Sequence, residues 1–122
     1  IIEMEIKKTG KLFSFCCIVS PIIKNKNLRE INFFEKIGAD IGLLFQIADD
    51  IIDFKGATKI AGKKTGKDKK KGKATLIDLL GYKNTIIYGY KIKSNIINKL
   101  KKCGSSLNNI HETLNYILDR KK

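Results

Sequence analysis

With 122 residues, 43% of them hydrophobic, the chain can form one modest domain with a core but not several domains. Its formal net charge of +13 would suit nucleic acid or an anionic membrane as a partner. However, Arg29 and Arg120 are the only arginines among 25 basic residues, whereas phosphate and base recognition favours arginine. No apolar run reaches the roughly 20 residues of a membrane span. A nucleic-acid-binding module is therefore a minor alternative, and we expect no membrane span.

The cysteines and the single histidine form no recognisable site. Cys16, Cys17 and Cys103 have neither a disulfide pattern nor the spacing of metal ligands. We predict that they are small buried apolar residues of a protein in the reducing cytoplasm. We expect His111 on the face of a helix and assign it no catalytic role.

Apolar spacing predicts five helices and no strand, so the predicted fold class is all-α. In chain order the helices cover residues 2–23, 28–54, 74–81 and 82–102, and the last begins after Ser105 or Ser106. A polar break separates the first two, and Gly81 ends the third. Residues 55–73 are rich in glycine and lysine, which predicts a loop. Gly38 and Gly42, four residues apart on the second helix, favour close approach of a neighbouring helix.

Three aspartates interrupt the apolar second helix in the segment "GLLFQIADDIIDF". Asp49 and Asp53 share a helix face because they are four residues apart, with Asp50 at its edge and Gln46 one turn earlier. An uncompensated carboxylate beside buried apolar surface is costly, so a positive group must lie nearby. Mg²⁺ suits such a motif because it binds one or two carboxylates and takes further oxygens from water and substrate phosphates. A solvated acidic edge of an amphipathic helix is the alternative.

Lysines in the predicted loop favour the metal hypothesis. Lys63 and Lys73 stand ten and twenty residues after Asp53, and each directly follows a glycine. Lysine charges and a carboxylate-bound metal together make a pocket for a polyanion such as diphosphate. For the remaining lysines of this loop, a solvated run of charge is the alternative.

Three motifs, in their order and spacing, resemble the trans (E-type) isoprenyl diphosphate synthases, the family of farnesyl diphosphate synthase. They are "KKTGKLFSF" near the start, "LLFQIADDIID" in the second helix and "AGKKTGKDKKKGKATLIDLLG" after it. The resemblance covers essentially the whole chain and corresponds to the C-terminal portion of the family. It implies the isoprenoid synthase helical bundle, with residues 1–122 as the C-terminal part of a single polyprenyl synthetase domain.

The resemblance implies roles for several charged residues of these motifs. Asp49, Asp50 and Asp53 match the residues that bind Mg²⁺ and, through it, the diphosphate of the allylic substrate. Lys8 and Lys63 match lysines that contact this diphosphate directly. The cofactor implied by the resemblance is therefore Mg²⁺.

Polar and aromatic residues also match the family. Thr9 and Gln46 match residues near the reacting carbon that help to stabilise positive charge. Phe45 matches an aromatic residue that packs at the isopentenyl diphosphate side, and Lys73 matches a substrate-binding position of the loop. In the family, the allylic diphosphate ionises, isopentenyl diphosphate attacks the carbocation, and loss of a proton gives a chain five carbons longer.

The sequence departs from the family in one important respect, because it contains no second DDxxD motif. Family members carry such a motif on an earlier helix, with basic residues that hold isopentenyl diphosphate. We therefore expect the 122-residue chain alone to be inactive. The resemblance also implies a homodimer for the complete protein, which we expect in the cytoplasm. The alternative is a catalytically silent truncated relative or a non-catalytic subunit of such a synthase.

Overall fold

The structure, a computed structural model, describes residues 3, 6–61, 75–103 and 108–120. Within these ranges all regular elements are helices, which confirms the predicted all-α class. A π-helical turn at Ile6–Gly10 is followed by α1 (Lys11–Ile23), α2 (Leu28–Ala61), α3 (Leu76–Leu80), α4 (Tyr82–Lys101) and α5 (Asn108–Asp119). None of these helices combines the length and the apolar character that crossing a membrane requires.

The polar break between α1 and α2 is a tight turn, as predicted. Asn25 has a φ of 51°, a left-handed conformation that asparagine tolerates better than most residues, and it follows the end of α1. The side-chain oxygen of Asn27 accepts a hydrogen bond of 2.9 Å from the backbone N–H of Glu30 and so caps the start of α2. The two helices are therefore joined by a connection of four residues.

Helix α3 is bounded by a capping box and a glycine. The Asp78 backbone N–H donates to the Thr75 hydroxyl at 3.2 Å, and the Thr75 backbone N–H donates to the Asp78 carboxylate at 3.0 Å. The hydrogen bonds that the Asp78 carboxylate accepts from the Thr75 backbone N–H and, at 3.0 Å, from the Thr75 hydroxyl lower the pKa of Asp78, because they favour its charged form. Gly81, with a φ of 80°, separates α3 from α4 in a conformation that favours glycine, and this confirms the predicted stop.

The main difference from the predicted elements is the length of α2. The helix continues past Phe54 to Ala61, so the loop prediction was wrong for residues 55–61. Each residue added to an existing helix gains a backbone hydrogen bond, and Lys59 in the last turn interacts favourably with the helix dipole. The remainder of the predicted loop, residues 62–74, lies outside the described residues.

The core is built around α2. Its buried face packs with those of α3, α4 and α5. The buried apolar side chains are Ile37, Leu43, Leu44, Ile47, Ala48 and Ile51 on α2, Leu76 and Ile77 on α3, Ile92, Ile96 and Leu100 on α4, and Leu114 and Ile117 on α5. At the edge of this core, the ammonium of Lys99 on α4 bonds the carboxylate of Asp40 on α2 at 2.8 Å. The aspartate motif therefore lies on the helix that all the others contact.

Helices α1 and α2 pack backbone to backbone, as Gly38 and Gly42 predicted. A Cβ atom at Gly38 would lie 2.5 Å from the Cα of Ser14, and one at Gly42 would lie 2.5 Å from the Cα of Gly10. The hydroxyl of buried Ser14 donates a 2.9 Å hydrogen bond to the backbone oxygen of Glu35 across the same contact. This contact holds the π-helical turn against the middle of α2.

The opposite side of α1 carries an exposed apolar stripe, which we call the outer face of α1. Its members share one helix face and are Leu12, Phe15, Cys16, Ile22 and Ile23. Phe15 and Ile23 expose 62% and 74% of their surface, far more than a core residue would. Within the described ranges, α1 therefore buries only the side that faces α2 and the turn.

The cysteines differ from the sequence prediction. Cys16 and Cys103 are exposed, so the prediction that they are buried was wrong for these two. Cys16 lies on the outer face of α1, and Cys103 lies two residues after the end of α4. Cys17 is half-buried, and burial followed by the charge of Cys16 raises the pKa of its thiol. His111 lies on α5, as expected.

Candidate active site

The three motif aspartates lie on two successive turns of α2, with Asp49 and Asp50 adjacent and Asp53 one turn later. Asp49 and Asp50 are half-buried, whereas Asp53 is exposed. Among the described side chains, no three His, Cys, Asp or Glu residues converge in a way that could hold a metal ion. The three aspartates by themselves would therefore supply an incomplete ligand set.

Asp50 faces inward toward α3. Burial raises the pKa of its carboxyl, and the neighbouring charges of Asp53 and Asp49 add to this shift. Hydrogen bonds from the Gln46 side chain and the Leu76 backbone act in the opposite direction. Its Oδ2 atom is buried and has no hydrogen-bond partner within the described part of the chain. A buried, unpaired carboxylate oxygen at this position would gain from a bound cation.

Asp49 already faces a positive group of the protein. The guanidinium Nη2 of Arg120, the residue that follows α5, forms an ion pair with Asp49 Oδ1. The same nitrogen lies 3.5 Å from the backbone oxygen of Phe45, and the guanidinium carbon lies 4.1 Å from the centroid of the Phe45 ring. The side chain of Arg120 exposes 18% of its surface, so this ion pair is largely shielded from solvent on the arginine side.

Thr9 and Gln46 meet across the contact between the π-helical turn and α2. The hydroxyl of Thr9 donates a hydrogen bond of 3.1 Å to Oε1 of Gln46. Both residues are half-buried, and they are 37 positions apart in sequence. The close approach of Gly10 to Gly42 places the turn at the distance this bond requires. A polar pair therefore lies one helical turn before the aspartates.

Phe45 forms the apolar wall beside this polar pair. Its ring centroid is 5.4 Å from that of Phe13 on α1, in a tilted arrangement. Arg120 covers the ring from α5. Phe45 thus contacts both helices that contribute to the site, and its own position on α2 is one residue before Gln46.

The structure brings together most of the residues that the sequence singled out, but not all. Phe45, Gln46 and the aspartates share α2, and Thr9 contacts Gln46 directly. Lys8 lies in the same turn as Thr9, but its side chain falls outside what the structure describes. Lys63 and Lys73 also lie outside the described residues. The described part of the site therefore contains the carboxylates and the uncharged residues, and the side chains of the three predicted lysines lie outside it.

Sequence reasoning missed Arg120, although two signals pointed to it. The aspartate motif required a nearby positive charge, and Arg120 is one of only two arginines in the chain. Its separation of 71 positions from Asp49 concealed the contact, because no periodicity connects residues on different helices. The contact exists because α5 packs on α2.

The donor set fits a hard divalent cation. Asp49, Asp50 and Asp53 provide carboxylate oxygens only, which are the ligands that Mg²⁺ prefers. The unpaired buried oxygen of Asp50 is the structural observation in favour of this fit. Because the three carboxylates do not converge, an ion bound there would complete its coordination with water or phosphate oxygens.

Comparisons with known proteins give a consistent result. The family model described as polyprenyl synthetase matches residues 2–117. A farnesyl diphosphate synthase from Micrococcus luteus is 32% identical over 120 residues, which are 98% of this chain and 41% of that protein. A farnesyl diphosphate synthase from Geobacillus stearothermophilus is 34% identical over 84 residues, covering 66% of this chain and 28% of that protein.

A relative from a eukaryote shows the same partial coverage. Geranylgeranyl pyrophosphate synthase 4 from Arabidopsis thaliana is 32% identical over 90 residues, which are 74% of this chain and 24% of that protein. No solved structure matches the chain. The chain thus spans 41% or less of the length of each of these three relatives.

Proposed function

Because the chain belongs to the polyprenyl synthetase family, we propose that it is part of a Mg²⁺-dependent prenyltransferase that condenses an allylic diphosphate with isopentenyl diphosphate. In this proposal, residues 1–122 are the C-terminal part of a single synthase domain and supply its second aspartate-rich site. The proposal includes a cytoplasmic location and a homodimer for the complete protein. The proposed reaction is supported by the relatives, which are farnesyl and geranylgeranyl diphosphate synthases.

The observation that carries the proposal is the assembly of Thr9 and Gln46 one turn before the aspartates. The two residues come from motifs that are far apart in sequence, and their side chains share a hydrogen bond. A polar pair beside a row of carboxylates and an aromatic wall suits a substrate with a charged head and an apolar tail. A merely solvated acidic edge would explain the aspartates but not this pairing.

In the proposed reaction, Asp49, Asp50 and Asp53 would hold Mg²⁺. When bound, Mg²⁺ would supply positive charge that stabilises the diphosphate of the allylic substrate as a leaving group. Lys8, Lys63 and Lys73 are proposed to add positive charge to the same group. These groups act most strongly in a pocket that excludes water, because a low dielectric strengthens each interaction.

The uncharged residues are proposed to act on the carbon skeleton. The oxygens of Thr9 and Gln46 present negative partial charge, which would stabilise the allylic cation after ionisation. The ring of Phe45 supplies an apolar surface on the isopentenyl side. Condensation then forms one carbon–carbon bond and releases diphosphate and one proton.

The proposal is tested by replacing Asp49 in the complete polypeptide. We expect Asp49→Ala to lower turnover of an allylic diphosphate with isopentenyl diphosphate by about 100-fold or more, as for the loss of a group that stabilises developing charge. Asp40→Ala, on the same helix but paired with Lys99, is the matched control and should retain most of the activity. Equal turnover in the two variants would show that Asp49 has no part in the reaction.

The 122-residue chain itself provides a second test. We propose that it is inactive alone, because it has no second DDxxD motif. Formation of a product five carbons longer by the purified chain with Mg²⁺ would contradict this. The alternative of a non-catalytic subunit predicts instead that the chain copurifies with a separate complete synthase and that Asp49→Ala leaves the activity of that assembly unchanged.

A further inference from the structure

Arg120 lies where the aspartate motif needs a positive charge. Its guanidinium forms an ion pair with Asp49 Oδ1 and lies 4.1 Å from the Phe45 ring centroid. Arginine remains charged at all physiological pH values, so this contact supplies a permanent cation. Asp49 therefore has a partner within the protein before any metal is present.

The contact is incomplete on the arginine side. The Nε–H group of Arg120 is buried and has no hydrogen-bond acceptor within the described ranges. A buried donor without an acceptor loses the hydrogen bonds that water would provide. Movement of Arg120 away from Asp49 would return Nε to water, which lowers the free energy needed to break the ion pair.

A divalent cation and Arg120 compete for the same carboxylate. A metal on Asp49 Oδ1 would take the oxygen that Nη2 now contacts, and one on the other oxygen would lie close to the guanidinium charge. Both arrangements bring like charges together in a partly desolvated place, where their repulsion is stronger than in water. Metal binding at Asp49 therefore requires the guanidinium to leave.

We propose that Arg120 is a resident counter-ion of Asp49 that a divalent cation must displace, and that it thereby lowers the metal affinity of the site. This inference rests on the metal site proposed above and adds a residue outside the three motifs. Arg120 directly follows α5, and its backbone N–H donates to the Tyr116 oxygen at 2.9 Å. Displacement of the side chain would therefore affect this backbone hydrogen bond at the end of the helix.

The test measures Mn²⁺ binding to the complete polypeptide without substrate, from the electron paramagnetic resonance signal of free Mn²⁺. We expect Arg120→Gln to bind Mn²⁺ about fivefold more tightly than the unaltered protein, which corresponds to a partly exposed ion pair. Lys99→Gln is the matched control, because it removes a cation that pairs with Asp40 on the same helix. Its Mn²⁺ affinity should stay within about twofold of the unaltered protein.

A double variant connects the effect to Asp49. In an Asp49→Asn background, Arg120→Gln should no longer tighten Mn²⁺ binding, because the shared carboxylate is gone. A second readout uses the unaltered protein, in which Mg²⁺ should speed hydrogen exchange of the Arg120 amide. This measurement keeps the proposal testable if Arg120→Gln fails to fold.

The outcomes separate the two proposals. Tighter binding by Arg120→Gln that disappears with Asp49→Asn supports the counter-ion role. Equal affinity of Arg120→Gln and the unaltered protein, or amide exchange that Mg²⁺ leaves unchanged, overturns that role and leaves the proposed synthase function standing. Mn²⁺ affinity that is the same with and without the Asp49 carboxylate overturns the metal site itself, and the counter-ion role with it.

Discussion

The glycine contact between α1 and α2 allows a prediction whose size follows from the structure. A Cβ at Gly38 would lie 2.5, 2.6 and 2.7 Å from Ser14 Cα, Phe13 O and Ser14 N. Carbon atoms normally approach to about 3.5–4.0 Å, so α1 would have to move by roughly 1 Å. All three atoms belong to the backbone, and no side-chain rotation relieves the contact. Such overpacking costs about 1–3 kcal/mol.

Gly56 provides the matched control on the same helix. No atom lies within 4 Å of a Cβ built there, so Gly56→Ala meets no obstacle. Both substitutions gain the helix propensity of alanine over glycine, about 1 kcal/mol. We expect Gly56→Ala to stabilise the complete polypeptide by about that amount, and Gly38→Ala to change stability by between roughly 0 and −2 kcal/mol.

The assay is urea unfolding of both variants, followed by circular dichroism. The difference between them isolates the contact at Gly38, because the propensity gain cancels, and should be about 1–3 kcal/mol. Equal midpoints with equal slopes would refute the close packing of α1 on α2 described above. They would also remove the structural basis for the contact between Thr9 and Gln46.

Two further predictions concern other elements of the fold. Thr75→Ala should destabilise the protein by about 0.5–2 kcal/mol in urea unfolding, because α3 loses its cap. The Thr75 hydrogen bonds lower the folded-state pKa of Asp78, so their stabilisation is present above the unfolded pKa and is lost as pH falls through the folded one. The measurement is the pKa of Asp78 by NMR in the two proteins. If Thr75→Ala does not raise this pKa, the explanation is wrong. The outer face of α1 predicts self-association of the isolated 122-residue chain, and Phe15→Lys should shift its sedimentation toward the monomer. A monomer before the substitution would show that the outer face of α1 does not drive association.

The helices were largely predictable because their signals are local. Apolar spacing, the polar break after Ile23 and the glycine after α3 each act within a few residues. The loop prediction was wrong at residues 55–61 because it also relied on local signals. Glycine and lysine composition suggested a loop, but elongation of a long helix that is already stabilised by the core overrides weak local preferences.

The site was predictable only in part. Asp49, Asp50 and Gln46 follow from helical spacing on one element, and the resemblance supplied Thr9. The partner of Asp49 was not predictable, because Arg120 reaches it only through the packing of α5 on α2. Electrostatics required a cation at that place without indicating whether it belongs to a metal or to the chain.

The site is divided between one continuous helix and two attached elements. Phe45, Gln46 and the aspartates all lie on the 34 residues of α2, so helix geometry alone sets their spacing at about 1.5 Å of rise per residue. Thr9 and Arg120 lie outside that helix. Their distances to it depend on how α1, with the π-helical turn before it, and α5 pack against α2. Substitutions in one contact would change the distance between Thr9 and Gln46, and substitutions in the other would change the distance between Arg120 and Asp49. Neither would alter the spacing of the aspartates. In the proposed synthase, metal affinity and stabilisation of the substrate cation would thus be adjustable one at a time.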